Sequence, residues 1–100
     1  MKIIYDKILE LFPEIKLNED DIETPYLMMH EVLYWLELKK VDCNDQGIIK
    51  KVVDFQKWCK NQNQGETAED DVWTIYIVGF YEKLFKNKKT QVLIPRLVTR

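Results

Sequence analysis

Apolar positions along the chain fall into four stretches with the 3.6-residue period of an amphipathic helix, separated by polar or proline-marked breaks. The longest and most apolar stretch runs from Thr67 to Lys89. Trp73, Ile77, Phe80 and Leu84 recur there at helical spacing, with Tyr76, Gly79 and Lys83 on neighbouring rows. Val72, Ile75, Ile77 and Val78 are good strand formers, so a buried strand is the rival reading. The ends favour a helix. Thr67 reads as an N-cap with Glu69, Asp70 and Asp71 behind it, and Lys83, Lys86, Lys88 and Lys89 gather where the negative helix end needs cations. The middle is apolar nearly all round, which predicts a helix inside the fold with the other elements around it. Gly79 costs about 1 kcal/mol relative to Ala in a helix interior, so its expected use is the close approach of a crossing helix.

The remaining stretches predict three more helices and a short tail. The first spans Lys2 to Phe12, with Ile4, Ile8 and Leu11 in one stripe, and Pro13 stops it. The acidic segment Glu14 to Glu23 reads as a connector with a short helical turn. The second helix starts at Thr24, an N-cap, with Pro25 at the first helical position. Met29, Val32, Leu33 and Leu36 form its inner face, widened by Tyr34, Trp35 and Leu38, and it ends near Lys39 or Lys40. A turn at Asp42 to Gly47 leads to a third helix over Asp45 to Asn61, with Ile48, Val52, Phe55 and Cys59 inward and Ile49, Val53 and Trp58 beside them. Asn61 to Gly65 is a polar loop expected to be the most mobile segment. In the tail, Thr90 is placed to cap a short helix holding Val92, Leu93 and Ile94, which Pro95 interrupts. The expected fold is all-α: one compact four- to five-helix bundle over residues 1–100, helical-repeat-like in its succession of amphipathic helices, with a buried helix in its C-terminal half.

Composition adds limits. One hundred residues suit a single domain that can bury a core without staples. No apolar run reaches the roughly 20 residues of a membrane span. The N-terminus meets Asp6 too early for a signal peptide, which makes the cytoplasm the default compartment. There Cys43 and Cys59 are expected to stay thiols, Cys59 as a small core residue. The net charge of −2 is unevenly placed: residues 1–31 hold three lysines against eight acids, whereas residues 83–100 hold six cations and no acid. The two ends are expected to neutralise each other in the fold. Nucleic acid is a weaker reading, because the chain is acidic overall and the basic tail has no aromatics for base stacking.

Chemistry-bearing motifs are sparse. Asp42, Asn44, Gln46 and Gly47 imitate the start of a calcium loop, but Val53 stands where a bidentate Glu is needed, so the segment reads as a turn that caps the third helix. His30 is the single histidine, and Glu31 points about 100° away from it round a helix. A triad or His-rich metal site is excluded, and no Gly-rich phosphate loop is present. No catalytic residue, metal or cofactor is assigned. The aromatics say more: any left outside the core marks a binding patch. Tyr26, Tyr34 and Tyr81, off the main apolar stripes, are candidates for contact with a protein partner. So are Glu19, Asp20, Asp21 and Glu23, whose charge suits a basic toxin that must itself bind phosphates.

Three segments carry a resemblance: Ile8 to Ile15 (I-L-E-L-F-P-E-I), Val52 to Trp58 (V-V-D-F-Q-K-W) and Asp70 to Leu84. They resemble a small bacterial all-helical family of unknown function, with F-P-E after the first helix, an aromatic-plus-acid motif in a middle helix, and V-G-F-hydrophobic-E-x-L. The matching positions are Phe12, Pro13 and Glu14, then Phe55, then Val78, Gly79, Phe80, Tyr81, Glu82 and Leu84. The middle motif lacks the family's second acid. The resemblance implies a compact helical domain and, because similar genes are associated with toxin–immunity loci, an inhibitor role without catalytic residues. Three functions stay open: a non-catalytic interaction protein, such as an immunity protein covering a toxin; a small enzyme using His30 with a cysteine or acid; and a regulatory nucleic-acid binder using residues 83–100.

Overall fold

The computed structural model describes residues 2–38, 46–62 and 71–97, which form an all-α bundle with no strand among them. Helix α1 spans Lys2–Leu11, a 3-10 turn follows at Glu19–Glu23, and α2 and α3 span Pro25–Leu38 and Gln46–Lys60. Helix α4 begins at Val72–Tyr76 and continues through a π segment, Ile77–Tyr81, into a 3-10 segment, Glu82–Lys86. Two short helices, α5 (Lys88–Gln91) and α6 (Ile94–Leu97), close the described chain. The Thr67 cap and Asn44 and Asp45 of the turn lie outside the described residues, as do Cys43, Lys39 and Lys40 and residues 63–65 of the polar loop.

Local chemistry explains the first boundaries. Phe12 still donates its N–H to the Ile8 carbonyl at 2.7 Å, but Pro13 has no N–H to give and the chain leaves the helix. Phe12 and Ile15 are buried and pin the connector to the core. In the 3-10 turn the Asp21 carboxylate accepts the Asn18 N–H at 3.1 Å. Thr24 does stand at the N-cap of α2, its carbonyl accepting the N–H groups of Leu27 and Met28. Its hydroxyl turns back and donates to the Asp21 carbonyl at 3.2 Å.

Phe55, on α3, is the hub of the core. Its ring lies 6.0 Å from Phe12, 5.9 Å from Tyr76, 6.2 Å from Phe80 and 6.4 Å from Trp58, mostly edge to face. Ile4, Ile8, Met28, Met29, Leu36 and Ile75 fill the space around these rings. One polar chain crosses the core: the Tyr76 hydroxyl donates to Gln56 Oε1 at 2.7 Å, and Gln56 Nε2 donates to the Leu97 carbonyl at 3.1 Å. It ties α6 to α3 and α4.

Several expectations need correction. In α2, Met28 is fully buried, whereas Tyr34 and Leu38 face outward instead of widening the inner face. In α3 the buried set is Ile49, Val52, Val53, Phe55, Gln56 and Cys59, with Ile48 only half-buried. The long fourth helix is not one uniform rod. It changes pitch at Ile77, and it ends at Asn87, whose extended backbone (φ −132°, ψ 125°) starts a new helix. Lys88 and Lys89 therefore occupy the first turn of α5, not the end of α4. Asn87 caps α5, its Oδ1 accepting the Lys89 N–H at 2.8 Å. Thr90 caps nothing. It is buried, and its hydroxyl donates to the Leu84 carbonyl at 2.9 Å, locking α5 under the end of residues 72–86.

Candidate functional site

Residues 72–86 pack against α2 through Gly79. A Cβ on Gly79 would stand 3.0 Å from Tyr26 Cδ1 and 3.2 Å from Met29 Cβ, so the missing side chain is what lets the two helices approach this closely. The π segment sets what flanks the contact. Glu82 donates its N–H five residues back to the Ile77 carbonyl, and such a wide turn delays the core-facing position that follows. Leu84 is buried, and Lys83 is left outside.

The result is an open groove of about 620 Å³ between α2 and residues 78–87. Tyr26, Leu27 and Tyr34 line the α2 wall, and Val78 and Gly79 line the other. Tyr26 is 39% exposed, Leu27 44%, Tyr34 53% and Val78 41%, so four of the large exposed apolar side chains share one concavity. Helix α2 is apolar on both its inner and outer faces, and here the outer face has no cover among the described residues. Charge surrounds it: Lys83 and Lys86 on one wall, His30 and Glu37 on the other. Among the described residues neither lysine has a carboxylate partner, and the ion pairs Lys2–Asp6, Lys7–Glu10 and Lys50–Asp54 are each internal to one helix. The 2.7 Å bond from Lys50 also holds the Asp54 carboxyl below its usual range.

The structure sorts the sequence candidates. Tyr26 and Tyr34 come together in the groove. Tyr81 does not: it is half-buried, edge-on to Phe85 at 5.7 Å, and lines a smaller hollow with Trp73 and Gln56. Glu19, Asp20 and Glu23 are exposed on the 3-10 turn just ahead of Tyr26 in the chain, outside the groove lining. Asp21 is half-buried and spent on capping that turn. No ion pair among the described residues joins Glu19, Asp20, Asp21 or Glu23 to Lys83, Lys86, Lys88 or Lys89. Leu27 and Val78 were missed because each sits within an apolar run, where a single outward side chain leaves no mark. The cue available for Val78 was its neighbour Gly79, which announces a close helix crossing.

Of the groups considered for catalysis, Cys43 lies outside the described residues. His30 is exposed in the groove, while Cys59 is fully buried, and burial pushes its thiol far up, so that it stays protonated at neutral pH. Glu37, the acid that shares the groove, is seven residues from His30, about 10 Å along the helix axis. Val53, at the twelfth position of the calcium-like stretch, is buried. No cluster of three metal-ligating side chains exists among the described residues, and none of their helices is long and apolar enough to cross a membrane. The chain matches no family model, no curated protein and no solved structure, so the groove has to be read from its own residues.

Proposed function

We propose that this chain is a non-catalytic protein-interaction domain that holds its partner on the groove between α2 and residues 78–87. One observation carries the reading: Tyr26, Leu27, Tyr34 and Val78 remain exposed together in a single concavity while the other faces of the same helices are buried. Clustered exposed apolar and aromatic side chains mark binding surfaces, because covering them removes apolar area from water and aromatics dominate interface energetics. The resemblance to a helical family linked with toxin–immunity loci favours a toxin domain as the partner, with this chain as its inhibitor. Glu19, Asp20 and Glu23 then act beside the groove, steering the basic nucleic-acid-binding face of such a toxin.

The test is capture of the product of a neighbouring toxin-like gene by the purified full chain, measured by calorimetry. Wild type is expected to form a saturable complex and to protect cells that express the toxin. Tyr34→Glu and Val78→Glu, both at exposed positions, are expected to keep the helical circular dichroism signal and to weaken the complex at least about tenfold. Capture that both variants retain at full strength would remove the groove from the interface.

A further inference from the structure

We infer that the groove takes a single amphipathic helix whose apolar stripe is flanked by acidic side chains. The inference deepens the protein-interaction reading and rests on it. Apart from Asn87 at one end, both walls are helical and their backbone groups bond along the helices, as in the bond from Glu82 to Ile77. An extended segment laid here would find no strand edge to pair with, and its own N–H groups would lose water without gaining a partner. A helix satisfies its own backbone and offers only side chains. The α2 wall presents Tyr26 and Tyr34, eight residues apart, which corresponds to about 12 Å of helix. That span matches apolar positions i, i+4 and i+7 or i+8 on a helix lying along the groove.

Charge selects the flanks. Lys83, Lys86 and His30 face one carboxylate, Glu37, so the rim is locally basic on a chain whose net charge is −2. The two lysines lack a carboxylate partner among the described residues, and acids beside the incoming apolar stripe would supply one. Single-stranded nucleic acid also joins aromatics to cations, but the groove suits it less. One edge of the Tyr26 ring, at Cδ1, already packs beside Gly79, and the rest of the lining includes apolar Leu27, Leu33 and Val78, which offer a base no further stacking partner.

A displayed library of random peptides of about 16 residues, selected on the full chain and counter-selected on Tyr34→Glu, tests the assignment. The enriched sequences are expected to repeat apolar residues at helical spacing with Asp or Glu beside them. A labelled enriched peptide should bind in an anisotropy titration, weaken about tenfold on Lys83→Glu with Lys86→Glu, and weaken as salt rises. Enrichment of basic or proline-rich extended sequences would overturn the inference, as would tighter binding of a labelled oligo-dT. A dimer of the chain that Tyr34→Glu dissolves would give the groove to a second copy and overturn it equally. Groove-dependent capture of the neighbouring gene product alongside any of these failures leaves the interaction domain standing without the acidic helix. Loss of both removes both.

Discussion

Gly79 shows how much one residue decides. Replacing it with Ala adds helix propensity of about 1 kcal/mol, but the new Cβ meets Tyr26 Cδ1 at 3.0 Å and Met29 at 3.2 and 3.3 Å. The Tyr26 ring is the far end of a side chain and can swing, whereas Met29 Cβ is fixed to the α2 backbone. Overpacking of this kind costs about 1–3 kcal/mol. Gly79→Ala is therefore expected to lower the urea midpoint, by a net loss of about 1 kcal/mol, and Gly79→Val to lower it further. An unchanged midpoint would show that the helices separate freely. The need for a small residue here was legible from the sequence, since a glycine inside an apolar helical run has few other uses. Gln56 was not legible. It lies between Lys57 and Phe55 on a helix with a wet face, and its burial follows from two tertiary partners, Tyr76 and the Leu97 carbonyl, that no local pattern displays.

At the scale of elements, α1, α2 and α3 were readable because each has a 3.6-residue apolar period, with Pro13 marking the end of α1 and Thr24-Pro25 the start of α2. The connector expected over Glu14 to Glu23 does hold a short helical turn, the 3-10 segment Glu19–Glu23. The fourth helix was readable as a helix but not in its interior. In a run that is apolar nearly all round, several stripes fit the period equally well, so the count picked out Trp73 and Ile77, which are half-buried, where the structure buries Val72, Ile75 and Tyr76. Of the groove, the two tyrosines of α2 were foreseen, but their meeting with Val78 and Lys83 depends on how residues 72–86 cross α2 at Gly79, a tertiary contact that no local pattern displays. The tail depends on two polar links, and each predicts a cost. Thr90→Val keeps the shape but removes the donor to the Leu84 carbonyl, leaving a buried acceptor short of a partner, at about 1–3 kcal/mol. Tyr76→Phe leaves Gln56 Oε1 unpaired at a similar cost. Because Tyr76, Gln56 and Leu97 form one chain of bonds, the double variant Tyr76→Phe with Gln56→Leu should lose less than the two singles combined. Simple additivity in a double-mutant cycle would show that the links act separately.

For the molecule as a whole, two buried titratable groups couple stability to pH on the alkaline side. Burial pushes up the Tyr76 hydroxyl, with Cys59 and Tyr81 nearby adding to it, and burial pushes up the Cys59 thiol. Both stay protonated in the folded protein at pH values where the unfolded chain, with ordinary values of about 8.5 for Cys and about 10 for Tyr, has released its protons. Their contribution is thus complete below about pH 8. It declines as pH rises, first through the thiol and then through the hydroxyl, because the unfolded state now binds fewer protons than the folded one. Each group contributes a slope of up to about 1.4 kcal/mol per pH unit. Urea unfolding at about pH 7, 9 and 10.5 should show stability falling in two stages. Cys59→Ala should remove the first stage, and Tyr76→Phe, though less stable at pH 7, should flatten the second. A slope that both variants leave unaltered would mean that neither group is desolvated in solution. That result would also undo the core around Phe55, since the bundle that buries Tyr76 and Cys59 is the same one that turns Tyr26, Leu27 and Tyr34 outward.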